Sequence, residues 1–186
     1  MYWALDLETG GLDARRDAIL AVGMVPVRRG FIQLRDAYRT LVRPEDGSSI
    51  APGSVSAHQL VWGEVSEAPE LPAVLEEVKR RLGEGVLLVH QKTIDVGFLK
   101  QACKRHRVKW PEPRVVDTVD LLKKIASVRS PEVPREMLAL NLSRARRQYG
   151  LPPYQAHDAL TDAVATAELF LVLRKTLGAR TVRDLT

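Results

Sequence analysis

Cysteine occurs once in the 186 residues, at Cys103. An internal disulfide is therefore excluded, as is a zinc site built from several thiolates. Cys103 falls on the apolar side of a predicted helix and reads as a small buried hydrophobe. No apolar run reaches the length of a membrane span, so no membrane partner is expected. The start lacks a charged n-region and a small-residue cleavage site, so a cytoplasmic location is the expectation. Internal repeats and low-complexity stretches are missing too. What is present is a globular composition, 45% hydrophobic, of a length that suits one domain over 1–186. Lys and Arg outnumber Asp and Glu by 28 to 23, for a net charge of +5. Such an excess fits a polyanionic partner.

The hydrophobic pattern divides the chain in two. Strands are predicted over Tyr2–Leu7, Ile19–Val27 and Phe31–Val42, the last two joined in a hairpin by Arg28-Arg29-Gly30. A Pro/Gly/Ser-rich loop covers 44–56. Beyond Pro69 the period becomes helical: Leu71, Val74, Leu75, Val78 and Leu82 recur on one face, and Gly83 closes the segment. Val86–Val89 reads as a buried strand. Thr93 is the expected N-cap of a helix from Ile94 to about His106. A short strand at Val115 and Val116 precedes a helix over Leu121–Ala126. A loop follows over Ser127–Glu136, then helices around Leu140–Tyr149 and from about Asp158 to Thr176. Strands first, then β-α-β-α alternation, predict an α/β class with a mixed sheet covered by helices.

Four carboxylates interrupt this pattern. Asp6 and Glu8 sit two apart on the first strand and so share a face. Buried acids are rare without a partner, and two side by side repel unless a cation relieves them. Asp95 falls in the first turn of a predicted helix, where a carboxylate also suits the helix dipole. Asp162 lies on or beside the apolar stripe of the last helix. Mg²⁺ and Mn²⁺ prefer oxygen ligands. Two such ions ~4 Å apart can hold the attacking and leaving oxygens of an in-line displacement at phosphorus. His157, five residues before Asp162, is placed to deprotonate an attacking water.

These residues carry a resemblance. Leu5-Asp6-Leu7-Glu8-Thr9-Gly10-Gly11-Leu12 resembles the first motif of the DEDDh 3′–5′ exonucleases, the group of the DNA polymerase III epsilon proofreading subunit. Val89 through Leu99, with Asp95, is similar to the second motif, and His157 through Ala167 to the third. Asp117-Thr118 resembles a common Asp-Thr pair, and Ser56-Ala57-His58-Gln59-Leu60 a His-Gly-Ile segment. The resemblance implies a ribonuclease H-like fold with a five-stranded mixed sheet. It implies two-metal hydrolysis (Mg²⁺ or Mn²⁺) that releases nucleoside 5′-monophosphates. Asp6, Glu8 and Asp162 would hold one ion, Asp6 and Asp95 the second, and His157 would be the general base. Thr9, Gly10, Leu12, His58 and His90 match positions around the terminal nucleotide.

The departures are Gly10 for a Thr, Gln91 for an Asn, Lys92 for a small residue, Ile94 for an aromatic, and Gln59 for a Gly. A sister group has Tyr-x-x-x-Asp in the third motif, and Tyr154 with Asp158 offers that frame as a rival. The expected substrate is a single-stranded 3′ end, DNA first and RNA as the alternative. A DNA polymerase subunit is a further expected partner, although no tethering tail like that of the epsilon subunit follows the last helix. Basic clusters at Lys79-Arg80-Arg81, at Lys104-Arg105 with Arg107, and at Arg144 with Arg146 and Arg147 read as ordinary solvated helix faces, with phosphate contact as the alternative. A non-catalytic nucleic-acid-binding domain and a metal-dependent nucleotide phosphatase are the rivals from other classes.

Overall fold

The computed structural model describes residues 1–45, 47–50, 65–129, 132 and 138–186. Its strands are β1 (Tyr2–Thr9), β2 (Ile19–Arg28), β3 (Phe31–Ile32), β4 (Tyr38–Leu41), β5 (Val86–Val89) and β6 (Val115–Asp117). Its helices, among the described residues, are α1 (Leu71–Leu82), α2 (Lys92–Arg105), α3 (Thr118–Arg129), α4 (Leu142–Gln148) and α5 (Ala159–Thr176).

The sheet runs β3-β2-β1-β5-β6, with β4 also paired to β2. Six strands therefore fill five positions. The expected single strand over Phe31–Val42 is broken by the 3₁₀ turn Leu34–Asp36. Its two pieces pair with different stretches of β2, at Val27–Arg28 and Ala21–Met24. β1 is antiparallel to β2 and parallel to β5, which is parallel to β6.

Alternation along β1 sorts the core into two layers. Tyr2 and Ala4 pack with α3, α4 and α5 on one face. Trp3, Leu5 and Leu7 pack with α1 and α2 on the other. Asp6 and Glu8 continue the even-numbered series and so fall on the α5 face. Cys103 is buried on the α1–α2 side, and desolvation pushes its thiol up to about 11.

Two helix starts differ from expectation for one reason. Thr93 is not the N-cap of α2; the cap is Gln91, in the left-handed region at φ 75°, ψ 67°. The buried Asp117 carboxylate, at the end of β6, accepts from Gln91 N and Lys92 N, both at 2.9 Å. It also accepts from Val119 N at 2.9 Å, which starts α3 three residues before Leu121. One side chain thus caps two helices, and the acceptor for α2 comes from a strand 25 residues away. Asn adopts the left-handed conformation several-fold more readily than most residues. Gln91→Asn is accordingly expected to stabilise the fold by about 0.5–1 kcal/mol, read as an upward shift of the urea midpoint.

Candidate active site

β1 outruns its parallel neighbour. The last β1–β5 pair is Ala4–Leu88, three residues short of Leu7. In the gap, Leu7 N donates instead to Asp95 Oδ1, at 3.2 Å. Asp95 is the fourth residue of α2, and Asp162 is the fourth of α5. Two helix N-termini therefore present carboxylates to the free end of β1, where the helix dipoles favour negative charge. Ligand oxygens of Asp6, Glu8 and Asp162 all lie within 4.8 Å of one another. Glu8, Asp95 and Asp162 are buried and Asp6 is half-buried.

Burial, followed by repulsion from Asp95, Asp162 and Glu8, lifts the Asp6 carboxyl well above the usual carboxylate range. Burial likewise raises Asp95, against the Leu7 hydrogen bond, to about 8. Asp162 is raised by burial, and Tyr154 and the His157 backbone N–H pull it partly back. Each shift reflects the cost of ionising crowded, desolvated acids. A cation relieves that cost, and a donor set made wholly of hard oxygens fits a hard divalent ion.

The third motif is arranged around α5. Asp158 is the N-cap: its Oδ1 accepts from Thr161 N at 3.0 Å and from Thr161 Oγ1 at 2.9 Å. Its Oδ2 pairs with Arg39 Nε at 2.8 Å. In the rival frame Asp158 would be the ligand, but its carboxylate is committed to capping and to Arg39. Asp162 is the acid that joins Asp6 and Glu8. His157 is exposed at the entry turn with φ 71°, and its backbone N donates to Asp162 Oδ2 at 2.8 Å. The residue is exposed, and a charge on its ring would act on the Asp162 carboxyl.

A residue missed in the sequence, Gly23, explains how α5 reaches the sheet. Gly23 pairs with Asp6 across β1–β2. A Cβ there would lie 2.2 Å from the carbonyl of Ala159. The first turn of α5 thus rests on bare backbone opposite Asp6. A lone Gly inside a strand pattern signals such an approach. Arg39 pairs with Gly23 in turn and ties Asp158 to β4.

The positions expected around a nucleotide are placed as follows. Thr9 is buried, and its Oγ1 donates to Gly11 O at 2.7 Å. A Cβ on Gly10 would lie 2.5 Å from Ser49 O, so the departure from Thr matches a close backbone approach. Leu12 is 81% exposed on the loop after β1. His58 lies outside the described residues. His90 is half-buried with both ring nitrogens engaged: Nδ1 with Thr118 Oγ1 at 2.7 Å and Nε2 with Leu140 O at 2.8 Å. That ring ties β5 to the segment before α4. Lys92 Nζ pairs with Asp120 at 2.7 Å.

Part of each basic cluster is paired or buried. Lys79 pairs with Glu76, while Arg80 and Arg81 share Glu77. Arg105 pairs with Glu45, and Arg146 is buried. No helix among the described residues is long and apolar enough to cross a membrane.

A family model described as "Exonuclease" matches residues 3–170. A putative bifunctional exonuclease/endonuclease protein of Mycobacterium tuberculosis is 32% identical over 95% of this chain and 27% of its own length. A DNA polymerase III PolC-type protein of Thermotoga maritima is 29% identical over 91% of this chain and 12% of its own. The chain thus spans about a quarter or less of these relatives. Among solved structures, the nuclease domain of 3′hExo, a DEDDh family member bound to rAMP, superposes with a TM-score of 0.75. That match is 19% identical and covers 94% of this chain and 92% of the other. It carries the ribonuclease H-like fold.

Proposed function

The chain belongs to the DEDDh exonuclease family, and from that premise we propose that it trims single-stranded DNA from the 3′ end, releasing nucleoside 5′-monophosphates with the aid of two Mg²⁺ or Mn²⁺ ions. The observation that carries this reading is the convergence of Asp6, Glu8 and Asp162 oxygens within 4.8 Å, with Asp95 bonded to β1 beside them. Asp6, Glu8 and Asp162 would hold one ion, and Asp6 with Asp95 the other. Bound there, the ions supply charge neutralisation at the scissile phosphate and a lowered pKa for the attacking water.

The chain's own groups do the rest. His157, exposed at the entry turn, takes the proton from that water. Three of the four acids are buried and Asp6 is half-buried, so a paired terminus must fray before its last phosphate reaches them, which favours single strands. Leu12 offers an apolar face for the terminal base. DNA is the first choice because the Thermotoga relative is a DNA polymerase III protein. RNA is the second reading, favoured by the rAMP in the superposed 3′hExo domain. A cytoplasmic location and action beside a polymerase belong to the same proposal.

The test is a 5′-labelled oligonucleotide, DNA and RNA in parallel, with Mg²⁺ or Mn²⁺. Stepwise shortening from the 3′ end is expected with the metal. It should cease in EDTA and in Asp6→Ala. Cleavage that persists in EDTA overturns the mechanism, and RNA cut faster than DNA reverses the choice of substrate.

A further inference from the structure

Resting on the metal-dependent reading above, the geometry assigns Tyr154 as the positioning residue of the Asp162 carboxylate, held in place by Arg146 of α4. The Tyr154 hydroxyl donates to Asp162 Oδ1 at 2.5 Å. That length is typical of a hydroxyl bonded to an ionised carboxylate. The His157 backbone N takes the other oxygen, Oδ2, at 2.8 Å. A carboxylate offers about four lone-pair sites, so one donor on each oxygen fixes the plane of Asp162 and leaves sites open toward Asp6 and Glu8.

Tyr154 is itself gripped from α4. The Arg146 guanidinium lies 4.8 Å from the Tyr154 ring centroid, in cation–π contact. Arg146 is buried and splinted on three sides. Its Nη1 donates to Ala165 O at 2.9 Å and to Glu168 Oε2 at 2.7 Å, and its Nη2 to Pro152 O at 3.1 Å. The fork joins α4, α5 and the segment that delivers Tyr154, a geometry that a lysine does not reproduce. A residue that reads from the sequence as half of a rival Tyr-x-x-x-Asp frame therefore acts on the acid eight positions on.

Groups that orient metal-holding carboxylates typically cost 10- to 100-fold in metal affinity or activity when removed. For Tyr154→Phe, titration calorimetry with Mn²⁺ alone is expected to show affinity weakened by about that factor. The Mn²⁺ concentration for half-maximal hydrolysis of an oligothymidylate should rise in step. The KM for the oligonucleotide and the melting temperature of the metal-free protein should stay near those of the native chain. Arg146→Lys, which keeps the charge and loses the fork, should show the same Mn²⁺ defect in weaker form. Native Mn²⁺ affinity in Tyr154→Phe, or a loss confined to melting temperature, overturns the assignment. If the native chain itself binds no Mn²⁺, the functional reading fails first and this assignment falls with it.

Discussion

Asp95→Asn should abolish hydrolysis and yet make the metal-free protein harder to melt at pH 8. The rate loss is expected at about 10³-fold or more, the several kcal/mol that a metal-held charge contributes at phosphorus. The gain in stability follows from linkage. Asp95 has its carboxyl raised from 3.8 to about 8, first by burial and then by Asp117 and Glu8. A folded-state pKa above the unfolded value means that the folded chain holds a proton the unfolded chain releases. The stabilisation from that proton is complete below the unfolded value of 3.8 and is lost as pH rises through about 8. Asn keeps an oxygen for the Leu7 N–H and never ionises, so it escapes the loss. The advantage of Asn over Asp should therefore be absent near pH 4 and largest above pH 8. Thermal melts in EDTA across that range check it. Divalent ion should narrow the difference by stabilising the native chain only. A variant that melts below the native chain at pH 8 would show that Asp95 is bound mainly for structure. Stability given up at a functional cluster is the expected trade.

The acids were legible in the sequence because their positions follow simple periods. Asp6 and Glu8 stand out on a strand where alternation puts both on one face, and Asp95 and Asp162 stand in helix starts. The strand and helix layers were legible for the same reason. What escaped was set by contacts between distant segments. Thr93 has the right chemistry for a cap, yet Asp117 supplies the acceptors from another strand and moves the helix start to Lys92. Arg146 reads as one member of a surface cluster, but it is buried beneath Tyr154. The basic run Lys79-Arg80-Arg81 reads as a solvated helix face, and Glu76 and Glu77, one turn away, pair with it there. Local pattern reports which face a residue takes. It does not report which remote backbone group comes to meet it.

Gly23 is the sharpest case, and its substitution should be the most damaging change outside the acids. Gly23→Ala puts a methyl group 2.2 Å from the Ala159 carbonyl and 2.3 Å from Leu160 N. These are backbone atoms at the start of α5, so no side-chain rotation relieves the clash. Either β2 or the first turn of α5 must move. β2 is paired on both sides, to β1 through Asp6–Gly23 and to β4 through Gly23–Arg39. The helix end is the freer partner, and it carries Asp158, Asp162 and the turn of His157. Displacing it pulls Asp162 from Asp6 and Glu8 and strains the Arg39–Asp158 pair. Overpacking of this kind costs about 1–3 kcal/mol, and a shift of about 1 Å at reacting groups costs about 10²-fold in rate. The expected result is a folded protein with a lowered melting temperature, activity down by at least about 10²-fold, and weakened Mn²⁺ binding. The KM for single-stranded DNA should change far less, since the loop after β1, which on the proposed reading would face the nucleotide, is untouched. Ala21→Gly, two residue pairs along β2 from the same site, serves as the control: it loosens the strand beside Glu8 without pushing on α5. If Gly23→Ala keeps native activity and only melts earlier, the close approach of α5 is a packing feature and does not set the position of Asp162.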